Sequence, residues 1–313
     1  MLLLIVYYLI INRNFEGLGA TEEFTKKIYE YKKYKVIDVE HAQRGIDRLF
    51  TTIYNELDTS GRILAHGFIN LNNIDLVIMP HIQSLMGALF LFDNKPRRIL
   101  IVGLGIGVLP RALIHLLNDS YIDAIEIDSV IFDIARDYFF LQTSSNFNVH
   151  IVDGYDFVMN LNSSQTYDLV ILDAFSDLTE ETCAPESFIS EKFILKIKEQ
   201  LNENGVIAVN SLPSLCPKHS FERNIYHKIF GKLYIATHGT DRCFLGLKSP
   251  KNRASQQKVK KRVKHYKKSF SSLGVNSMKI FSIFQHFKKF DRVITLNVTS
   301  LFNYIFLNNV CLV

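Results

Sequence analysis

The chain has 313 residues, of which 48% are hydrophobic and 21% charged, with 7 prolines, 24 phenylalanines, 14 tyrosines and no tryptophan. That composition supports one large or two modest domains with a sizeable core, and it excludes disordered, collagen-like and low-complexity classes. Lys and Arg number 36 against 31 Asp and Glu, but residues 242–290 hold fourteen of the bases and no acid, leaving 22 against 31 elsewhere. The acidic body argues against nucleic-acid binding across its surface and confines any polyanion contact to the basic segment.

Residues 2–11, LLLIVYYLII, form an apolar run of ten. Such a run is too short to span a bilayer, although it matches a signal-peptide core in length. No Lys or Arg precedes it, so a cytoplasmic location is favoured, with secretion or anchoring through residues 2–20 as the alternative. Cys183, Cys216, Cys243 and Cys311 show neither C-x-x-C nor Cys/His ligand spacing. Neither a metal site nor a disulfide framework is expected.

Residues 35–79 contain short β-branched runs, KVIDV, LFTTIY, RILAHGFINL and IDLVIM, which predict a small antiparallel β-subdomain. After Pro80, IQSLMGALFLF has the spacing of an amphipathic helix, and strands and helices then alternate to residue 249. Strand cores are ILIVG (99–103), AIEID (124–128), VHIVD (149–153), LVILD (169–173) and VIAVN (206–210). LPRALIHLL, VIFDIARDYF and SEKFILKIKEQL carry the helical pattern between them. Continuously apolar strands separated by helices predict a mostly parallel α/β sheet covered on both faces, closed by an antiparallel hairpin, KLYIATHG and RCFLGLKS. Residues 250–313 read as a basic linker or solvated helix followed by an apolar C-terminal extension.

In an open α/β sheet, ligands gather outside the carboxyl ends of the strands. The first core ends in Gly103-Leu104-Gly105-Ile106-Gly107 before a helix, where glycines permit a sharp turn and close backbone approach to a ligand. A plain tight turn and a nicotinamide-cofactor loop share that pattern. The second core supplies Glu126 and Asp128, placed to accept the hydroxyls of a ribose; the third ends in Asp153-Gly154, where a carboxylate can take an exocyclic amine. Asp173 closes the fourth and is placed to orient an attacking amine or accept its proton. Each alone is unspecific. Together they describe one nucleoside-binding crevice.

The run ILIVGLGIGVLPRAL, AIEIDSVIFDIARDYF, VHIVDGYDFV, YDLVILDAF and FILKIKEQLNENGVIAVN resembles the spermidine-synthase-like family of S-adenosylmethionine-dependent transferases. The resemblance implies a Rossmann-like class I methyltransferase sheet and S-adenosylmethionine, or its decarboxylated form, as cofactor. It places Gly103, Gly105, Gly107, Glu126, Asp128, Asp153 and Gly154 on the nucleoside and Asp173 beside the transferred group.

Departures from the family pattern redirect the acceptor. Ile106 stands where aminopropyltransferases carry an Asp, His81-Ile82-Gln83 where they carry Tyr-His-Glu, and Asp177 lies one place late in the loop after Asp173. Gln83 and Asp177 become the candidate substrate residues, and a polycation loses most of the carboxylates that would hold it. The loop FSDLTEETCAPESF is similar to that of the methyltransferase-like branch, which methylates amino groups of a translation elongation factor. The expectation is therefore an amine methyltransferase, with a protein among the candidate acceptors and a homodimer left open. A spermidine-forming aminopropyltransferase and a catalytically idle binding module are the rivals. No specific nucleic acid is expected, and residues 251–268 are the candidate contact for a polyanion or partner.

Overall fold

The computed structural model describes residues 25–41, 45–53, 63–175, 185–211, 219–231, 233–238, 241–249 and 255–285. Residues 2–20, Asp177 and three of the four cysteines lie outside them. Four strands come first: β1 (Thr25–Tyr31), β2 (Tyr34–His41), β3 (Gly45–Ile53) and β4 (Ile63–Asn70), an antiparallel sheet in chain order. β1 escapes a sequence reading because a register shift between Lys27 and Tyr29 breaks its alternation. IDLVIM, expected as a strand, joins no sheet: the Val77 N–H donates to Leu273 O, which takes a backbone donor a ladder would need.

Helix α1 (Pro80–Met86) starts on proline and passes into a 3₁₀ turn, Gly87–Leu91. There follow β5 (Arg98–Val102), α2 (Val108–Leu116), β6 (Tyr121–Glu126), α3 (Ser129–Phe139), β7 (Phe147–Ile151), α4 (Gly154–Asn160), β8 (Tyr167–Leu172), α5 (Glu191–Gln200) and β9 (Leu201–Ser211). The chain continues through α6 (His219–Phe230), β10 (Tyr234–His238), β11 (Asp241–Leu247), α7 (Gln256–Ser272) and α8 (Ser277–Gln285). The second sheet runs β10-β11-β9-β8-β5-β6-β7, with β5 to β9 parallel and the expected hairpin antiparallel at one edge.

Alternate residues of the central strands feed two separate cores. Ile99, Ile101, Leu169, Ile171, Val206 and Ala208 pack on the side of α1, α2, α3, α7 and α8. Leu100, Val102, Val170, Leu172, Ile207 and Val209 pack on the side of α4, α5 and α6. Apolar on both faces, these strands read as unbroken hydrophobic runs. The order reverses between β5 and β8: the chain leaves β5 toward β6 and β7, then returns to β8 on the other side. In open α/β sheets, ligands bind outside the strand tips at such a reversal.

The N-terminal sheet packs on that end of the molecule. Gly67 of β4 leaves room for Ile106, since a Cβ there would come within 2.9 Å of its side chain. Arg48 joins Asp38 through two bonds of 2.7 and 2.8 Å and donates to Tyr138 O at 3.1 Å. At the opposite end of the chain, α7 buries Val259, Val263, Tyr266 and Phe270 and exposes Lys258, Lys260, Lys261, Lys264, Lys267 and Lys268. The segment is thus a helix whose apolar stripe is docked and whose cations face water. Arg262 ties it to Asp93. Among the described residues, no helix is long and apolar enough to cross a membrane.

Candidate functional site at the strand tips

Four strand tips are stitched together by backbone bonds. Gly103 N–H donates to Ile125 O, Val152 N–H to Glu126 O and Asp173 N–H to Val102 O, each at 2.9 Å. The expected residues of β5, β6, β7 and β8 are therefore brought to one edge. Gly103, Gly105 and Gly107 all have positive φ, at 98°, 53° and 79°. Around Gly105 a Cβ would meet nothing within 4 Å, so this part of the loop faces open space.

Glu126 lies inside the loop rather than at a solvated strand end. It is 7% exposed. Oε2 accepts from Leu104 N–H at 3.2 Å and Oε1 from Asp128 N–H at 3.0 Å. Burial pushes its carboxyl above the ordinary glutamate value against the pull of these backbone donors. Stability associated with this group therefore falls as pH rises from the ordinary carboxylate range through the raised value, because the folded chain disfavours the ionised form. Next to it, Ile127 is 66% exposed and Val152 36% exposed. Two exposed apolar side chains thus stand at the tips of adjacent strands, beside a buried carboxylate. An aromatic base attached to a diol has that combination of needs.

Asp128 and Asp153 both cap helices. Asp128 Oδ1 accepts from Val130 N–H at 2.9 Å, at the start of α3, while Oδ2 accepts from the Tyr34 hydroxyl at 2.7 Å. Asp153 Oδ1 accepts from Tyr155 and Asp156 N–H at 2.7 and 3.2 Å, at the start of α4. Gly154 serves packing: a Cβ would come within 2.6 Å of Val102 and 3.0 Å of Phe188. Asp173 Oδ1 accepts from Asn210 Nδ2 at 2.8 Å. Gln83 points into its own chain, donating to Val77 O at 2.8 Å and Ile78 O at 3.4 Å. Ile106 is buried against β4.

Three participants have no motif in the sequence. Tyr34 reaches Asp128 across 94 residues, the apolar flank of Ile127 and Val152 shows only in exposure, and Asn210 is the polar end of the fifth strand core. That last position carried a signal, because Asn210 is the amide that follows four acid- or glycine-ended cores.

The Tyr34 contact has a measurable consequence. Tyr34→Phe removes one donor from a part-buried carboxylate and is expected to cost about 1–2 kcal/mol in urea unfolding. A change below about 0.3 kcal/mol would show that the N-terminal sheet does not lean on this bond.

Residues 79–230 match the family model described as Spermine/spermidine synthase domain. The chain is 35% identical over 159 residues to a polyamine aminopropyltransferase of Vibrio vulnificus, covering 50% of this chain and 51% of that one. To the human eEF1A lysine and N-terminal methyltransferase it is 32% identical over 142 residues, covering 42% of this chain and 20% of that one. It thus spans about half the length of the first relative and a fifth of the second. Human Methyltransferase-like protein 13, solved in complex with SAH, superposes with a TM-score of 0.57 at 25% identity, covering 62% of this chain and 93% of that one. A spermidine synthase solved with the transition-state analogue AdoDATO gives 0.59 at 16% identity, covering 83% and 85%, which bears on the fold alone. Over residues 79–230, then, the chain is similar to the Spermine/spermidine synthase domain and to transferases that carry it.

Proposed function

We propose that this chain is an S-adenosylmethionine-dependent transferase that methylates an amine, with a protein amine as the favoured acceptor. The observation that carries the nucleoside part is the pairing of buried Glu126, bonded into the glycine loop, with exposed Ile127 and Val152 at the neighbouring tips. The open space at Gly105 fits a ligand lying over that loop. Glu126 would take the ribose hydroxyls, Ile127 and Val152 would cover the base, and Asp153 would meet its exocyclic amine. When bound, the sulfonium supplies an electrophilic carbon. The chain's own task would be to align the acceptor nitrogen and receive a proton from it, and in this reading Asp173 does both.

Methyl transfer is favoured over aminopropyl transfer by position 106. An aminopropyl donor brings a cationic amine of its own, and buried Ile106 offers it no carboxylate. The 35% identity to an aminopropyltransferase supports the rival reading. The two are separated by incubating the full chain with labelled S-adenosylmethionine and a cell extract, and in parallel with the decarboxylated donor and putrescine. Labelled protein in the first arm supports methyl transfer; spermidine in the second overturns it. An idle module would bind neither S-adenosylmethionine nor S-adenosylhomocysteine in a calorimeter.

Glu126→Gln tests the nucleoside half. The substitution keeps shape but removes the charge, so S-adenosylhomocysteine affinity should fall about 10- to 100-fold, the weight of one or two hydrogen bonds to a charged group. An unchanged affinity would remove Glu126 from the site. A polyanionic partner would meet the exposed lysines of α7. Replacing Lys261, Lys264 and Lys268 by Gln should abolish retention on a heparin column, and undiminished retention would transfer that role elsewhere.

A further inference from the structure

Helix α7 carries a row of cations with no counter-charge. Residues 242–290 contain no acid. At the near end of the helix Arg262, with Lys258 behind it, holds the Asp93 carboxyl below the ordinary aspartate value. Lys260, Lys261, Lys264, Lys267 and Lys268 are exposed, and among the described residues none of these five has an ion-pair partner. At 3.6 residues per turn they fall within about a third of the helix circumference, and at 1.5 Å per residue they span about 12 Å. Lys260 and Lys264, like Lys264 and Lys268, repel one another across one turn, which weakens an isolated helix. This helix is anchored on its other side. Ser255 Oγ accepts from Lys258 N–H at 3.3 Å, Val259, Val263, Tyr266 and Phe270 are buried, and the Phe90 ring lies 5.3 Å from that of Phe270. The like charges are thus held in a fixed array.

Anionic partners differ in what they need besides cations. A protein interface has apolar or aromatic anchors inside a polar rim, and among the described residues no exposed large apolar side chain stands on α7. A membrane surface takes up an amphipathic helix by its apolar face, which here is buried in the domain core. An unpaired nucleic-acid strand is gripped by bases stacking on aromatic rings, and Tyr266 and Phe270 of this helix are buried. The backbone of a duplex needs only cations along its path. Each strand of a duplex carries a phosphate about every 3.4 Å of axis, so about 12 Å of lysines faces three or four of them. The rest of the chain, with 22 bases against 31 acids, confines the contact to this helix.

Resting on the polyanion reading of α7, we infer that this helix face binds the phosphate backbone of a nucleic-acid duplex, through lysine–phosphate contacts alone and without regard to sequence. Lysine meets phosphate as a point charge, so the contact positions the duplex and reads no base edge.

The experiment follows the anisotropy of a labelled DNA duplex of about 20 base pairs as the full chain is added in about 50 to 200 mM KCl. The logarithm of affinity should fall against that of salt with a slope of about −3 to −4, roughly a hundredfold over the range, and alike for two unrelated sequences. Lys261→Gln, Lys264→Gln and Lys268→Gln made together should bring the slope to about −1, since each lost phosphate contact removes about one unit. Gln is a good helix former, and Lys261→Arg, Lys264→Arg and Lys268→Arg together should keep the wild-type slope. One strand alone should bind no more tightly than the duplex, and an oligoglutamate of equal length at least about tenfold more weakly. No binding at the lowest salt, an unchanged slope in the Gln variant, a tenfold preference for one sequence or for the single strand, or an oligoglutamate as tight as the duplex overturns the inference. If the Gln variant loses heparin retention while the wild type ignores the duplex, this inference falls and the polyanion reading stands. Undiminished heparin retention in that variant overturns the polyanion reading itself.

Discussion

Asp173→Asn should lose methyl transfer almost completely while the nucleoside still binds. The change is nearly isosteric, and an Asn side-chain oxygen can still accept from Asn210 Nδ2, so the 2.8 Å contact that holds the position survives. What disappears is the negative charge that the proposed function puts beside the acceptor nitrogen. An amine must shed a proton to end neutral after transfer, and a positioned carboxylate typically contributes about 10²–10⁴ to the rate of such a step. We therefore expect labelled product to fall by at least about a hundredfold, with residual turnover reflecting alignment of donor and acceptor alone. S-adenosylhomocysteine affinity should change by less than about threefold, because the proposed function puts Asp173 on the acceptor side. A variant retaining a large part of its activity would assign proton acceptance to another group. A variant that loses nucleoside affinity would place Asp173 on the wrong side.

Much of this arrangement was legible because parallel strands advertise themselves. ILIVG, LVILD and VIAVN are apolar on both faces, and each continues into a buried register partner in the sheet. Their ends stood out too, since an acid or a glycine closes each of the first four runs, although helix caps and tight turns use the same residues. What the sequence concealed is partnership over distance. Nothing in YKVIDV announces that Tyr34 will bond Asp128, and Gln83, expected to face substrate, spends its amide on Val77 and Ile78. Asp128 and Asp153 were read as ligand acceptors, while each also caps a helix, a duty that S-x and G-Y sequences after an acid carry at short range. β1 was hidden by its register shift, and α4, only seven residues long, is too short for a helical period to emerge. Local pattern reports burial. It does not report which remote group will occupy an oxygen.

The two glycines that open the loop should respond differently to alanine. At Gly103, φ is 98° and a Cβ would lie 2.2 Å from Asp173 O, 2.7 Å from Asp173 C and 3.0 Å from Ala174 Cα. All three are main-chain atoms, so no rotamer change relieves the clash. The tips of β5 and β8 would have to part, stretching the bond from Asp173 N–H to Val102 O. Gly103→Ala should therefore cost about 3 kcal/mol or more, combining left-handed strain of about 1–2 kcal/mol with overpacking. At Gly105, φ is 53° and no atom lies within 4 Å of the added carbon. Gly105→Ala should cost only the strain, about 1–2 kcal/mol, and remain folded. Its methyl group would instead occupy the space over the loop, lowering S-adenosylhomocysteine affinity by an order of magnitude or so. Urea unfolding and calorimetry on both variants check the pair. Equal stability for the two would contradict the close approach of the β5 and β8 tips; undiminished affinity in a folded Gly105→Ala would show that no ligand lies over the loop. The contrast matters because both residues look alike in the sequence, yet one lets the β5 and β8 tips meet at Asp173 and the other leaves open space over the loop.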